Sequence, residues 1–274
     1  MQLISMRDVQ KGTLEILKMI DKICDELNLK YCLAYGTLIG AVRHNGFIPW
    51  DDDVDIMMPR KDYDLFVQYF IEQKEKLKPY EIINPQVNEK CPYTISRISD
   101  SRYWLDVNNE EDYGIGLFVD VYPLDGVGDS FEESSKLKNF SSKYASLCFL
   151  STRQMVKREN TKTTIKYIIK FPAFIVAKVL GKKFFMKKLY SIAAKCDYDN
   201  SKYIGCIIWA SDDGVRGIFP KDWFKELIDI EFEGYMFKAP KDYDKILKHG
   251  YGDYMKLPPK RDRIAHHYYE AYRK

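Results

Sequence analysis

The stretch Tyr35-Gly36-Thr37-Leu38-Ile39-Gly40-Ala41-Val42-Arg43-His44-Asn45-Gly46-Phe47-Ile48-Pro49-Trp50-Asp51-Asp52-Asp53-Val54-Asp55-Ile56 decides the reading of this chain. Its last third sets four carboxylates in five positions among apolar residues. Pro49 opens an acidic loop, and Val54–Met58 has the composition of a buried strand that Pro59 ends. Side chains alternate along a strand, so Asp53 and Asp55 share one face, about 6.5 Å apart at the backbone. Val54 and Ile56 then turn towards a core. In a partly buried site each pair of such carboxylates costs about 1 kcal/mol or more unless a cation sits among them. Ligands that are all oxygen favour Mg²⁺, with Mn²⁺ as the alternative, over zinc. The blander reading is a solvated acidic loop, or one that binds Ca²⁺. It is not an EF-hand, because the glycine and the distal glutamate of that loop are missing.

Ahead of the acids, Tyr31–Ala34 reads as a short buried strand, Gly36-Thr37 as a turn and Leu38–His44 as a short helix. Backbone N–H groups at a helix start attract anions, and glycine permits close approach. Gly36 and Thr37 are therefore candidates for a phosphate contact, although the pattern is neither a Walker nor a Rossmann motif. Further on, Gly116-Leu117-Phe118-Val119-Asp120-Val121-Tyr122 encloses a single acid in apolar sequence. An acid there is costly unless it is paired or metal-bound. Asp120 is thus either half of a salt bridge or the third member of a set with Asp53 and Asp55. Three carboxylates clamping two metals would suit in-line phosphoryl transfer, with Asp120 taking the proton of the attacking hydroxyl.

The rest of the chain supports an α+β reading. Residues 5–28 form an amphipathic helix with Ser5 as N-cap and Asp8 at N3. A second helix is expected over Lys61–Lys76. Strands are expected at Tyr80–Ile83, Tyr93–Ile98, Tyr103–Val107 and Gly116–Tyr122. Phe131–Lys157 and Thr163–Asp197 read as mainly helical, Tyr203–Ala210 as a strand and Lys241–His249 as a helix. The expected division is a catalytic core over 1–128, a basic helical lobe over 129–200 and a mixed segment over 201–274 that completes the active site.

Composition narrows the function. The chain has 274 residues with 43 basic and 40 acidic side chains, which argues against a general nucleic-acid binder. It is 46% hydrophobic, enough for a sizeable core. Its six scattered cysteines contain no CxxC pair and read as thiols of a reducing compartment. Charges run through the first thirty residues, so no signal-peptide h-region is present there. The most apolar stretch, Ile165–Phe185, is interrupted by lysines and is too broken to span a bilayer.

The long motif Tyr35–Ile56 closely resembles the LicD family. So do Phe118-Val119-Asp120-Val121-Tyr122-Pro123-Leu124-Asp125 and the tail Tyr251-Gly252-Asp253-Tyr254-Met255-Lys256-Leu257-Pro258-Pro259 with Arg263, His266 and His267. The helical middle matches poorly. The resemblance implies a nucleotidyltransferase-like core with a small mixed β-sheet flanked by helices, plus a helical lobe. It implies transfer of a phospho-alcohol, typically phosphocholine from CDP-choline, onto a sugar hydroxyl of a surface glycan precursor such as lipopolysaccharide or teichoic acid, with CMP leaving. The related fukutin group handles ribitol phosphate. The family pattern maps onto Gly36-Thr37, then Asp53 and Asp55, then Asp120. Asp51 or Asp52 could replace one of these ligands.

Other residues carry alternatives. Arg43 either meets donor phosphate or lies on the surface, and Arg97 is either buried structure or a phosphate contact. Arg263 and His267 are candidate contacts to acceptor or phosphate. Trp50, Trp104 and nearby tyrosines could offer choline a cation–π face. Between Glu159 and Asp197 there are nine lysines and no acid. That segment is either a helical hairpin with a solvated basic face or an interfacial surface on anionic lipid, carrying the lysines of 162–195. The expected location is cytoplasmic, peripheral on the inner membrane face, with a glycan acceptor that is lipid-linked. Rival classes are transfer of the nucleotide itself, a DxD glycosyltransferase and a glycan-binding module without catalysis. Only about 50 residues precede the acids, too few for the nucleotide-binding half of a glycosyltransferase.

Overall fold

A computed structural model describes residues 1–154, 164–209, 214–264 and 269–274. In chain order the elements are β1 (Gln2–Leu3), α1 (Met6–Leu27), β2 (Cys32–Leu33), α2 (Tyr35–His44), β3 (Asp55–Pro59), α3 (Arg60–Glu72), β4 (Tyr80–Ile83), β5 (Ser96–Asp100), β6 (Tyr103–Val107), β7 (Leu117–Gly128), α4 (Phe131–Thr152), α5 (Thr164–Ala193), β8 (Tyr203–Gly205), β9 (Ile218–Pro220), β10 (Leu227–Phe232), β11 (Tyr235–Pro240), α6 (Tyr243–Tyr251) and β12 (Tyr269–Arg273). The architecture is α+β, with a curled mixed sheet at its centre.

The helix expected over 5–28 forms with its capping box. Ser5 Oγ accepts from the Asp8 N–H and Asp8 Oδ2 accepts from the Ser5 N–H, both at 3.2 Å. Val9, Thr13, Leu17, Ile20 and Cys24 are buried at helical spacing. The helix lies so close to the sheet that a Cβ on Gly12 would come within 2.3 Å of Leu117 Cδ1.

The main sheet runs β2-β3-β7-β5-β4, with β3 and β7 parallel and the other neighbours antiparallel. Strand β7 is twelve residues long and leaves this sheet at its far end to pair with β8, which pairs with β9. Its odd residues Leu117, Val119 and Val121 join the core beneath α1 and α3. Its even residues Tyr122 and Leu124 join a second core with Ala145 of α4 and Phe185 and Leu189 of α5. Asp120 shares that even face. A smaller sheet, β1-β12-β6, ties both ends of the chain together.

Several elements depart from the sequence expectation. The helix after β2 begins at Tyr35 rather than Leu38, so Gly36 and Thr37 form its first turn. Asp53 lies before β3, not within it. Strand β5 begins at Ser96, three residues later than expected. The basic helix α5 is broken at Gly181, whose φ of 74° only glycine adopts readily. The ends expected at Lys157, Thr163 and Ala210 lie outside the described residues. The hairpin β10–β11 is new. Its two-residue loop, Glu233-Gly234, has φ of 54° and 80°, the geometry that matches strand twist. Its tip holds the decisive motif in place. Glu233 accepts from the Phe47 N–H at 3.2 Å, its own N–H donates to Asn45 O at 2.9 Å, and it pairs with Arg7 at 2.6 Å.

Candidate active site

Three charged residues stand in one row across the sheet. Asp55 of β3 is in register with Asp120 of β7, and Asp120 with Arg97 of β5. Register partners on neighbouring strands point to the same face. Arg97 Nε donates to Asp120 Oδ1 at 2.7 Å and Nη2 to Oδ2 at 3.4 Å. The guanidinium is stacked between Tyr93 and Phe118, 3.5 and 4.0 Å from the ring centroids, and donates to the Tyr113 hydroxyl at 3.0 Å. Burial works against its charge, but Asp120 and the tyrosine oxygens outweigh that and hold its pKa well above the usual value. The salt-bridge role considered for Asp120 is therefore present, and Arg97 is its partner.

Among the described residues Asp55 has no such cation, and its buried Oδ1 has no hydrogen-bond partner. Burial first, then the charges of Asp53, Asp120 and Asp51, push its pKa well above the carboxylate range, against a hydrogen bond with Tyr122. A buried carboxylate oxygen with no donor is the group a divalent cation would satisfy, and the donors are all oxygen. Among the described residues no three His, Cys, Asp or Glu side chains already surround one point. Mg²⁺ commonly needs only one or two carboxylates and takes its remaining ligands from water and substrate phosphates. In charge and donor type the acids fit it.

The first turn of α2 sits against these acids. The Asp55 N–H donates to Thr37 Oγ1 at 2.8 Å, so the hydroxyl of the Gly-Thr pair fixes the start of the acid strand. A Cβ on Gly36 would meet Asp51 Oδ2 at 2.7 Å, which places that carboxylate over the glycine. The Asp51 carbonyl is held by Gln10 at 2.9 Å. Asp52 is buried and accepts from the hydroxyl of Tyr269 on β12. Asp125 accepts from Arg60 at 2.7 Å and from the Ile207 N–H at 3.3 Å, joining α3 to the segment after β8. Thr37→Val keeps the shape but strands the Asp55 N–H. We expect a loss of about 1–3 kcal/mol in denaturant unfolding; unchanged stability would remove Thr37 from this role.

A cationic cluster borders the acidic loop. Arg43 donates to the Tyr254 carbonyl at 2.6 Å and to His44 Nε2 at 3.0 Å. The Arg263 guanidinium lies 5.5 Å from the Trp50 ring centroid, and its Nε donates to Pro258 O at 2.9 Å. Burial and the neighbouring Arg263 charge lower the Arg43 pKa. Burial and Arg43 lower that of His44. Two like charges are thus held near each other, and neither meets a carboxylate among the described residues. Trp50 already has a cation on its face. Trp104 is elsewhere, on β6 against Tyr272. His266 and His267 lie outside the described residues.

Sequence reasoning passed over His44, Tyr113 and Tyr122. It also passed over the buried pair Glu110–Arg153, whose Oε1 accepts from Arg153 at 2.5 Å and from the Tyr93 hydroxyl at 2.7 Å. His44 and Tyr122 lay inside motifs already singled out. The pairing of Glu110 with Arg153, 43 residues apart, has no sequence signal.

The family profile described as "LicD/FKTN/FKRP, nucleotidyltransferase domain" matches residues 28–146, the interval that contains the acid row and α2. The lipopolysaccharide cholinephosphotransferase LicD of Haemophilus influenzae is 31% identical over 277 residues, covering 99% of each chain. An uncharacterized protein of Rickettsia typhi is 31% identical over 114 residues, 40% of this chain and 33% of that protein. One of Rickettsia prowazekii is 40% identical over 63 residues, 23% of each. With the acid row and α2 inside the matched interval and a relative aligned end to end, the chain belongs to the LicD family.

Proposed function

We propose that the protein is a transferase that moves phosphocholine, or a closely similar phospho-alcohol, from a CDP-alcohol to a sugar hydroxyl of a surface glycan or its lipid-linked precursor. The observation that carries this is the end-to-end likeness to a lipopolysaccharide cholinephosphotransferase, joined to a carboxylate row and to the neighbouring charges of Arg43 and Arg263, the latter over Trp50 of the acidic loop.

The acceptor oxygen forms a bond to the phosphorus of the phospho-alcohol, the bond from that phosphorus to the CMP oxygen breaks, and CMP leaves. Asp120, oriented by Arg97, takes the hydroxyl proton. Arg43 and Arg263, with the N–H groups opening α2 at Gly36 and Thr37, bind and orient the anionic donor. Asp53, Asp55 and Asp120 would hold Mg²⁺, which supplies charge neutralisation to the phosphates when bound. Such catalysis is positioning plus electrostatics. All six cysteines are free, five of them buried, which suits a reducing cytoplasm where nucleotide donors would be used.

Calorimetry with Mg²⁺ tests the donor. A ligand at 100 times its Kd adds about 2.7 kcal/mol of apparent stability. We expect a metal-dependent shift with CDP-choline, CDP-ribitol or CDP-glycerol, and CMP as the released product in turnover. A shift confined to CTP with pyrophosphate release would make the enzyme a nucleotidyltransferase; a shift with UDP-sugars alone would make it a glycosyltransferase.

A further inference from the structure

Helix α5 packs one side against α4 and turns the other towards solvent. Ala177, Phe185 and Leu189 are buried. On the open side Phe171, Ile175, Val176, Val179, Leu180 and Phe184 are each 40–80% exposed. Phe171, Ile175 and Val179 are four apart, as are Val176 and Leu180, so these two rows make one face of the segment before the break at Gly181, and Phe184 lies just beyond it. Single exposed apolar residues are ordinary, but a contiguous set marks a docking surface. Exposed Lys178, Lys183, Lys187 and Lys188 rim it. Lys183 already pairs with Glu89 at 2.8 Å. Lys182 is not part of the rim: it donates to the carbonyls of Glu89 and Cys91 and fastens the helix to the segment ahead of β5.

We infer that this face docks the protein onto an anionic lipid bilayer. The charge pattern chooses the occupant. No acid interrupts the chain between Glu159 and Asp197, so the side chains that α5 itself gives to the rim are all basic, with Glu89 offsetting Lys183 alone. A second copy seated on the same patch would bring lysines against lysines, which opposes association. A negatively charged membrane surface complements Lys178, Lys187 and Lys188, and its acyl layer accepts the apolar face. The inference is independent of the donor and acceptor proposed above.

Vesicle flotation with the full chain tests it. The protein should float with phosphatidylcholine vesicles rich in phosphatidylglycerol at low salt, and much less with pure phosphatidylcholine or at high salt. Ile175→Asp/Val179→Asp should abolish flotation. Lys187→Gln/Lys188→Gln, which leaves the apolar face untouched, should weaken it about 30-fold. Both positions lie outside the catalytic sheet, so donor binding and thermal unfolding should match the parent. Wild-type protein that ignores anionic vesicles at low salt overturns the inference. So does a dimer in solution that Val179→Asp converts to monomer, because the face then belongs to a second copy.

Discussion

Asp55→Asn should lower turnover about a thousandfold and leave the metal-free protein at least as stable as the parent. The two effects have one origin. Asp55 is buried, one oxygen has no hydrogen-bond partner among the described residues, and three carboxylates act on it. Its charge is therefore a cost to the folded chain that only a cation or a proton relieves. Asparagine keeps the shape and can still accept from Tyr122, but it brings no charge to hold a cation. The pH dependence follows with a definite sign. Burial and the neighbouring carboxylates raise the folded pKa above the unfolded value of about 4. Between those two values the native state holds a proton that the unfolded chain releases. Stability without metal should thus fall as pH rises through that window, and Asp55→Asn should flatten the fall. Release of CMP and calorimetry across pH read both halves. A variant with full turnover would take Asp55 out of the mechanism. One that is inactive but several kcal/mol less stable would make it a structural acid.

The legible part of the fold was the part written in local pattern. Ser5 and Asp8 sit three apart before an amphipathic run, and the box they form needs no tertiary information. The acid strand and the Asp120 strand were visible as acids in apolar sequence. Their register was not: nothing in either segment says that Asp55 stands opposite Asp120, or Arg97 on its other side. The start of α2 was misplaced because glycine-threonine is a good turn pair in isolation. In the folded chain Thr37 takes the Asp55 N–H, and that long-range bond outweighs local propensity. Arg43 and Arg263 were each singled out, but their adjacency depends on the path of a tail more than two hundred residues later. The β10–β11 hairpin was readable in principle. Glu233-Gly234 separates two alternating runs, Ile228–Phe232 and Tyr235–Ala239, but glutamate is a weak marker for a position with positive φ.

The pairing that sequence could not place carries the largest stability prediction. Arg97→Met should destabilise the protein by about 3–5 kcal/mol. At about 2–4 °C per kcal/mol for a chain of roughly this size, Tm should fall by about 10 °C. Methionine fills the slot between Tyr93 and Phe118, so lost packing contributes little. The cost comes from Asp120, which is left buried at 4% exposure beside Asp55 with no counter-charge. That origin makes a second measurement decisive. Asp120→Asn in the Arg97→Met background removes the stranded charge, so much of the lost stability should return, with a coupling of about 1–3 kcal/mol in the double-mutant cycle. Turnover should not return, because the carboxylate proposed to take the proton is gone. If the double variant is no more stable than Arg97→Met alone, Arg97 acts through packing and not through Asp120. If the double variant is active, the proton goes elsewhere and the row is scaffold. Recovered stability without recovered turnover is the pattern of an ion pair retained for its chemistry, since a neutral pair would hold the sheet as well.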